Sequence, residues 1–441
     1  MFQWNWDSVA AECTNFIGPA GYGYVQLSPA MEHVQGTEWW TDYQVVSYQI
    51  SSKHGTRSQF QSMINTCHAA GVQVLVDTIW NHMTSGSGTG TGGSSYTQYN
   101  YPGTYMVYDF HDIYAGISDW GNLTQLQFFQ LFGLADLKTE SDYVRSRLAQ
   151  FGSDLISLGV DGFRLDAAKH MPVADLKSIV SQLNTQGRNI FITQEVIKGD
   201  AQQLHPSDYL AIGKVAYRRH RFALRDDIRD VFMTGVRKLS DFQNLDNKGY
   251  LPSAQANTFV TNHDSERYTN QLSFTRSPHN GYVLANVFLL AHPYGQPSII
   301  SSYQYSNDDA GAPNNGYGTC DGTGGTNGWV CQHRWVAFQG MVAWRNRVAG
   351  AAMNNWVAGS SMKIAFGRGS NGFVGINNED KDWTTTFTTA LPDGVYCDVI
   401  GGLFSNGQCS GYWKFTVKGG KFQGTVPARG AVAIHTGAKL S

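Results

Sequence analysis

The sequence predicts a (β/α)8 barrel with an irregular subdomain inserted after its third strand and a C-terminal antiparallel β-sandwich. Three observations carry that expectation. Apolar strands and amphipathic helices alternate through residues 1–82 and 136–350, the pattern of parallel α/β architecture. Residues 83–135 interrupt it with Gly, Ser, Thr and Tyr and no helical period. From residue 351 the pattern turns to short, Gly-punctuated strands, as in a separate antiparallel domain. An open doubly wound sheet is the runner-up for the first part.

The chain has 441 residues, enough for two or three domains. Its net charge is −2, which argues against a nucleic-acid or anionic-membrane partner. Charged residues make up only 15%, while aromatics reach 13% and glycines number 49. Such a surface suits a neutral polar ligand with flat apolar faces, the description of a sugar ring. No stretch is long and apolar enough to span a membrane, and no signal peptide is seen, as expected of a processed secreted protein. Asn122-Leu123-Thr124 is a possible glycosylation sequon. The six cysteines are Cys13, Cys67, Cys320, Cys331, Cys397 and Cys409. None forms a Cys-x-x-Cys pair, so disulfides and an oxidising, secreted setting are favoured over zinc or redox chemistry.

In chain order, residues 7–16 read as a helix and 22–27 as an apolar strand stopped by Ser28-Pro29. Residues 57–70 place Phe60, Met63, Ile64 and Cys67 at i, i+3, i+4 and i+7 of a helix, closed by Gly71. The continuous apolar run 72–76 suits a strand buried on both faces. The long aperiodic run 83–135 reads as an ordered irregular subdomain, because it holds many aromatics and no charge run. Within it, Gly-Thr-Gly-Thr-Gly-Gly at 88–93 reads as a flexible loop; it lacks the Lys-Ser/Thr of a phosphate cradle. Further helices are expected at 141–157, 174–183, 224–239 and 282–290. Further strands are expected at 189–194, 212–217, 257–261 and 298–300. The C-terminal domain, 351–441, should hold strands at 362–368, 372–377, 384–388, 394–398, 413–418 and 432–435.

The stretch Val160-Asp161-Gly162-Phe163-Arg164-Leu165-Asp166-Ala167-Ala168-Lys169-His170 reads as a buried strand entering a loop. Side chains alternate along a strand, so Arg164 and Asp166 share one face and Phe163 and Leu165 the other. Either the pair is a structural salt bridge or it serves chemistry. Catalytic groups in a barrel gather at the C-terminal strand ends. Four such ends here are polar: Asp77 with Asn81-His82, Arg164 with Asp166 and Lys169-His170, Gln194-Glu195, and Asn262-His263-Asp264. Paired carboxylates are the minimal kit for glycoside hydrolysis, one ionised and one protonated. Arg164 would hold Asp166 ionised, as a nucleophile requires, whereas Glu195 has no adjacent cation in sequence and follows the apolar run Ile190-Phe191-Ile192, which makes it the better candidate for the acid.

These motifs, in this order, resemble those of the alpha-amylase family, glycoside hydrolase family 13, and within it the animal-type enzymes. They are Asp77-Thr78-Ile79-Trp80-Asn81-His82, Gly162 to His170, Phe191-Ile192-Thr193-Gln194-Glu195 and Phe259-Val260-Thr261-Asn262-His263-Asp264. The resemblance runs from Phe2 to the end and includes Trp39-Trp40-Thr41-Asp42-Tyr43-Gln44 and His292-Pro293-Tyr294-Gly295. It implies a TIM barrel and endo-acting, retaining hydrolysis of α-1,4-glucans such as starch. Asp166 would be the nucleophile, Glu195 the general acid/base and Asp264 a stabiliser. It further implies sugar contacts from Trp39, Trp40, Tyr43, Gln44, His82, Arg164, Lys169, His170 and His263. A transglycosylating or maltogenic variant and a non-catalytic starch-binding relative are the alternatives.

By the same resemblance, one structural Ca²⁺ is held by Asn81, Asp136, the His170 carbonyl and a carbonyl at Gln127. Hard oxygen donors suit that ion. Pairings Cys13–Cys67, Cys320–Cys331 and Cys397–Cys409 are implied, and a monomer is expected. Two departures stand out. Arg164 and Asn262 match part of the animal-type chloride site, but Gln296-Pro297-Ser298 stands where its second arginine belongs, so chloride is not expected to be needed. The usual Gly-His-Gly loop after Asp264 is replaced by residues 265–270. The first barrel strand also looks shortened, or a natural N-terminus is missing from the numbered chain.

Overall fold

The computed structural model describes residues 1–197, 204–218 and 224–440. It forms two compact units, Met1–His220 with Ser302–Thr319 and Gly325–Val330, and Arg221–Ser301 with Cys320–Gly324 and Cys331–Ser441.

In the first unit, helix α1 (Trp6–Glu12) is capped by the Asn5 side chain, which accepts from Ser8 N. Strand β1 (Tyr24–Leu27) follows, then helix α2 (Arg57–Ala69) and strand β2 (Gln73–Ile79). Thr56 and Gln59 close a capping box on α2, a feature worth about 1 kcal/mol. Gly71 ends that turn at φ 77°, the left-handed geometry that glycine adopts without a steric penalty. The Cys13–Cys67 disulfide ties the segment after α1 to α2. After helix α3 (Asp142–Ser157) come strands β3 (Gly162–Asp166), β4 (Phe191–Ile197) and β5 (Lys214–Arg218). The five strands are parallel, in the order β1-β2-β3-β4-β5. A Cβ at Gly162 would fall 2.3 Å from the Phe191 carbonyl oxygen, so the pairing of β3 with β4 requires glycine there.

Residues 1–6 form no strand. Met1 instead donates its amino group to the Gln26 carbonyl at 2.8 Å. The insert leaves and rejoins the sheet at one point, where His82–Met83 pairs antiparallel with Ala135–Asp136. It is ordered around its own aromatics: buried Tyr101 and Tyr105 each set their rings against buried Phe110. The glycine-rich run is not a free loop. It turns a hairpin, Ser87–Thr89 with Ser95–Thr97, against the buried Glu32 carboxylate. Glu32 Oε1 accepts from Gly92 N at 2.8 Å and Ser94 N at 2.9 Å.

In the second unit, Ala256–Thr258 pairs parallel with Gln296–Pro297. The strand expected at 298–300 therefore lies earlier, and those residues have no regular structure. The helix expected at 224–239 breaks after Arg229 into a π-turn that ends at Gly235, φ 69°. Helix Gly281–Ala291 is buried on almost every residue. Arg345 closes its end by donating to the carbonyls of Leu290 and His292, both at 2.9 Å. The C-terminal part is a β domain. One antiparallel sheet runs Met353–Ser360, Lys363–Arg368, Gly372–Asn377, Gly430–His435. Facing pairs Trp383–Thr388 with Lys421–Val426 and Gly394–Cys397 with Lys414–Val417 share its core of Phe373, Phe387, Phe415, Phe422 and Ile434. Two of these strands, Met353–Ser360 and Lys421–Val426, were not expected from the sequence. All six cysteines are paired as the resemblance implied.

Candidate active site

The register of β2, β3 and β4 builds the site. Asp77 pairs with Arg164 and Ile79 with Asp166, while Thr193 pairs with Arg164 from the other side. A period of two then puts Asp77, Arg164, Asp166 and Glu195 on one face at neighbouring strand ends. Phe163 and Leu165 fill the opposite face and are fully buried.

One guanidinium holds all three carboxylates. Arg164 donates from NH1 to Asp77 Oδ1 at 2.8 Å and to Asp166 Oδ1 at 2.6 Å. Its NH2 lies 3.1 Å from Glu195 Oε2. Glu195 Oε2 also accepts from Ala167 N at 3.0 Å, and Ala167 is left-handed at φ 49°. Tyr43 donates its phenol to Asp77 at 2.9 Å.

Three carboxylates share the charge of one guanidinium. Burial raises the proton affinity of Asp166 well above the usual carboxylate range, and Glu195 and Asp77 add to it, while Arg164 opposes. The charge of Arg164 is divided among three partners, so its pull on Asp166 is outweighed by burial and by the two neighbouring carboxylates. One proton is naturally shared in such a cluster.

His82 donates from Nε2 to the Tyr43 carbonyl at 3.0 Å, and burial lowers its pKa to about 4. His170 donates from Nδ1 to the Leu126 carbonyl at 2.8 Å, and burial lowers its pKa to about 3. Both rings are neutral, the form that suits hydroxyl recognition. Trp39, Trp40 and Tyr43 lie on one 3-10 turn. The two indoles donate to the Asp308 carbonyl at 2.7 Å and to Asp309 at 3.1 Å. Gln44 accepts from Thr84 at 3.0 Å.

The sequence reading missed what holds that turn. Buried Asp42 binds His54 at 2.7 Å and Lys53 at 3.0 Å, and these neighbours hold its carboxyl well below the usual range despite burial. Also unforeseen was Trp120, whose ring lies 5.4 Å from Lys169 Nζ.

Asn81 and Asp136 meet at 3.3 Å where the insert rejoins the sheet. Gln127 lies on the short helix Leu123–Phe128, next to the Leu126 carbonyl that His170 binds, and its side chain reaches the Tyr209 phenol. Burial raises Asp136 to about 6, against the pull of His111 and Asn81. His111, absent from the sequence reading, bonds Asp136 at 2.7 Å and Glu140 at 3.0 Å. Burial works against its charge, but the two carboxylates prevail and raise its pKa. An amide oxygen and a carboxylate are oxygen donors, the kind that suits a hard cation.

In the second unit, Asp264 Oδ2 lies 3.3 Å from Asn262 Nδ2 and 3.4 Å from His263 Nε2. The segment replacing the glycine loop is pinned. Arg267 donates to the His263 carbonyl and to Glu266, and Arg276 donates to the Glu266 and Arg267 carbonyls, both at 2.9 Å.

Comparison with known proteins identifies the family. Residues 16–215 match the alpha amylase catalytic domain and residues 356–437 the alpha amylase C-terminal all-beta domain. The chain belongs to the alpha-amylase family. It is 46% identical over 440 residues to an alpha-amylase of Streptomyces violaceus, covering 99% of this chain and 73% of that one. It is 38% identical to an alpha-amylase of Tribolium castaneum, covering 100% and 94%. The structure of alpha-amylase I from Eisenia fetida superposes with a TM-score of 0.91 at 35% identity, covering 99% and 96%. A mutant of that earthworm enzyme has been solved in complex with maltohexaose. As a family member the chain is an enzyme, with the family's catalytic barrel and C-terminal β domain.

Proposed function

We propose that the protein cleaves internal α-1,4-glucosidic bonds of starch, glycogen and maltooligosaccharides by double displacement with retention. The observation that carries this reading is the Arg164 guanidinium forked between Asp166 and Glu195. Two carboxyls on one fork lie close together, as the spacing of about 5–5.5 Å in retaining enzymes demands. Glu195 gives its proton to the glycosidic oxygen while the Asp166 carboxylate attacks the anomeric carbon. The bond to the leaving sugar breaks and a glycosyl ester forms on Asp166. Water, giving its proton to Glu195, then cleaves the ester and restores both groups.

Asp264, His82, His263, Lys169 and His170 contact sugar hydroxyls in this reading, and Trp39, Trp40 and Tyr43 stack on the rings beside Gln44. Ca²⁺ is held by Asn81, Asp136 and the carbonyls of His170 and Gln127. Its chemistry is structural, clamping the insert to the barrel. Chloride is not required, because Gln296 lacks the charge of the arginine it replaces. A dialysed sample strongly activated by chloride would contradict this. The three disulfides support a secreted enzyme, and no helix among the described residues is long and apolar enough to cross a membrane.

The test is the time course of soluble starch digestion. Endo action predicts rapid loss of iodine staining with early mixed oligosaccharides. Release of a single short product from the first minutes would overturn it.

A further inference from the structure

The turn Trp39–Tyr43 inverts the ordinary rule of burial. Its aromatic side chains, on Trp39, Trp40 and Tyr43, are half-buried, while Thr41 and Asp42 lie fully inside. Apolar groups normally take the interior and charged ones the surface, so the polar pair needs partners to hold it there. A two-residue hairpin turn supplies them. Ser51–Ser52 pairs antiparallel with Gly55–Thr56, and the residues between, Lys53 and His54, both reach Asp42. Lys53 Nζ lies 3.0 Å from Asp42 Oδ1, and donates to the Glu38 carbonyl at 2.7 Å and to Thr41 Oγ1 at 3.0 Å. One ammonium thus grips the turn from Glu38 to Asp42. Gln3 donates to Asp42 Oδ2, the oxygen that His54 binds at 2.7 Å. A buried ion pair adds little net stability over apolar packing, so stability alone does not account for this one. Its directional bonds do: an apolar underside would let the turn roll and bury its indoles. On the outer side the indole N–H groups are tethered to Asp308 and Asp309.

We propose that Asp42 and Lys53 are positioning residues: together they latch the turn so that the Trp39 and Trp40 faces stay turned outward to the glucan, and so set the enzyme's affinity for it. Neither is a sugar contact; both act through the indoles. This deepens the glucan-hydrolase reading and rests on it.

The test measures kcat and KM on maltoheptaose, with melting curves, for the full-length enzyme and its variants. Asp42→Asn and Lys53→Met are made together, because removing both charges leaves no unpaired ion inside. This pair of changes should raise KM about tenfold, the size of one lost ring contact, with kcat held within about twofold. Lys53→Arg, which keeps the charge and its donors, should keep KM near the parent's. Thr41→Val removes one partner of Lys53 and should raise KM in the same direction. The decisive arm repeats the paired change in an enzyme already carrying Trp39→Ala and Trp40→Ala. There it should add less than about twofold to KM, since residues that act through one another are not additive. Full additivity in that background overturns the latch. So does an unchanged KM in those anchor variants that fold, since a lowered melting temperature alone marks a purely structural pair. Trp39→Ala with Trp40→Ala at the parent's KM overturns the stacking reading, and the latch with it. A parent inert on maltoheptaose and starch overturns the hydrolase reading itself.

Discussion

Arg164 binds Asp166 at 2.6 Å and lies 3.1 Å from Glu195, so one guanidinium sets the spacing of both carboxyls proposed to do the chemistry. Their roles differ in what the leaving group demands. Asp166→Asn should lose activity by about 10³-fold or more on every substrate, because no nucleophile remains. Glu195→Gln should lose about 10²- to 10⁴-fold on starch but far less on an aryl glycoside whose phenolate needs no proton. Initial rates on starch and on a dinitrophenyl maltooligoside separate the two. Equal losses in both variants on both substrates would contradict the assignment.

Asp77 makes a second prediction. Burial comes first in raising Asp166, and the charge of Asp77 adds to it. The nucleophile must be ionised, so the acid limb of kcat/KM follows the Asp166 carboxyl. In Asp77→Asn that negative neighbour is gone and the acid limb should move to lower pH. A limb that moves up would contradict the cluster's electrostatics.

Calcium dependence should grow with pH. In the ion-free protein Asp136 is raised by burial to about 6, against an unfolded value of 3.8. Its stabilising contribution is then present below 3.8 and is lost as pH rises through 6. Calcium binds the ionised carboxylate, so it competes with the proton below 6 and replaces it above. The gap between melting temperatures in calcium and in EDTA should therefore be wider at pH 7.5 than at pH 5. A gap that is absent at both values would remove Asp136 from the ion site.

The hairpin over Glu32 gives a stability prediction. A Cβ at Gly90 would fall 2.5 Å from Glu32 Oε1, and that oxygen is fixed by Gly92 N and Ser94 N. Gly90→Ala should cost about 1–3 kcal/mol as overpacking does, visible in chemical denaturation. A neutral result would mean the hairpin can shift away from the carboxylate.

Much of this was legible in the sequence because it obeys short-range rules. The helix from Arg57 shows its apolar period and its closing glycine, and Arg164 and Asp166 share a face by strand alternation alone. Four strand-end motifs in order marked the family and the candidate site. What the sequence hid depends on contacts between distant residues. His111 and Trp120 lie in an aperiodic insert, where no period assigns a side chain to a face. The run at 88–93 looked flexible, since nothing local shows that Glu32 accepts its amides. Strand Met353–Ser360 escaped because its pairing shifts register between Asn354 and Val357 and between Ala358 and Ser360. Lys421–Val426 does alternate, but Gly424 interrupts it, and only the structure shows the Phe415 ring covering that glycine. The helix from Leu224 continued in pattern beyond Arg229, yet its backbone opens to a π-turn ahead of Gly235. The division of Arg164 among three carboxylates was half visible: Asp77 and Arg164 stood in the motifs, and their register did not.

The central claim is that Asp166 attacks the anomeric carbon and the product keeps its configuration. The direct measurement is proton NMR of the anomeric region during the first minutes of maltooligosaccharide hydrolysis, before mutarotation. The account predicts that the α-anomer appears first and the β-anomer grows in later. Initial β-product would contradict it and assign the two carboxyls to an inverting pair.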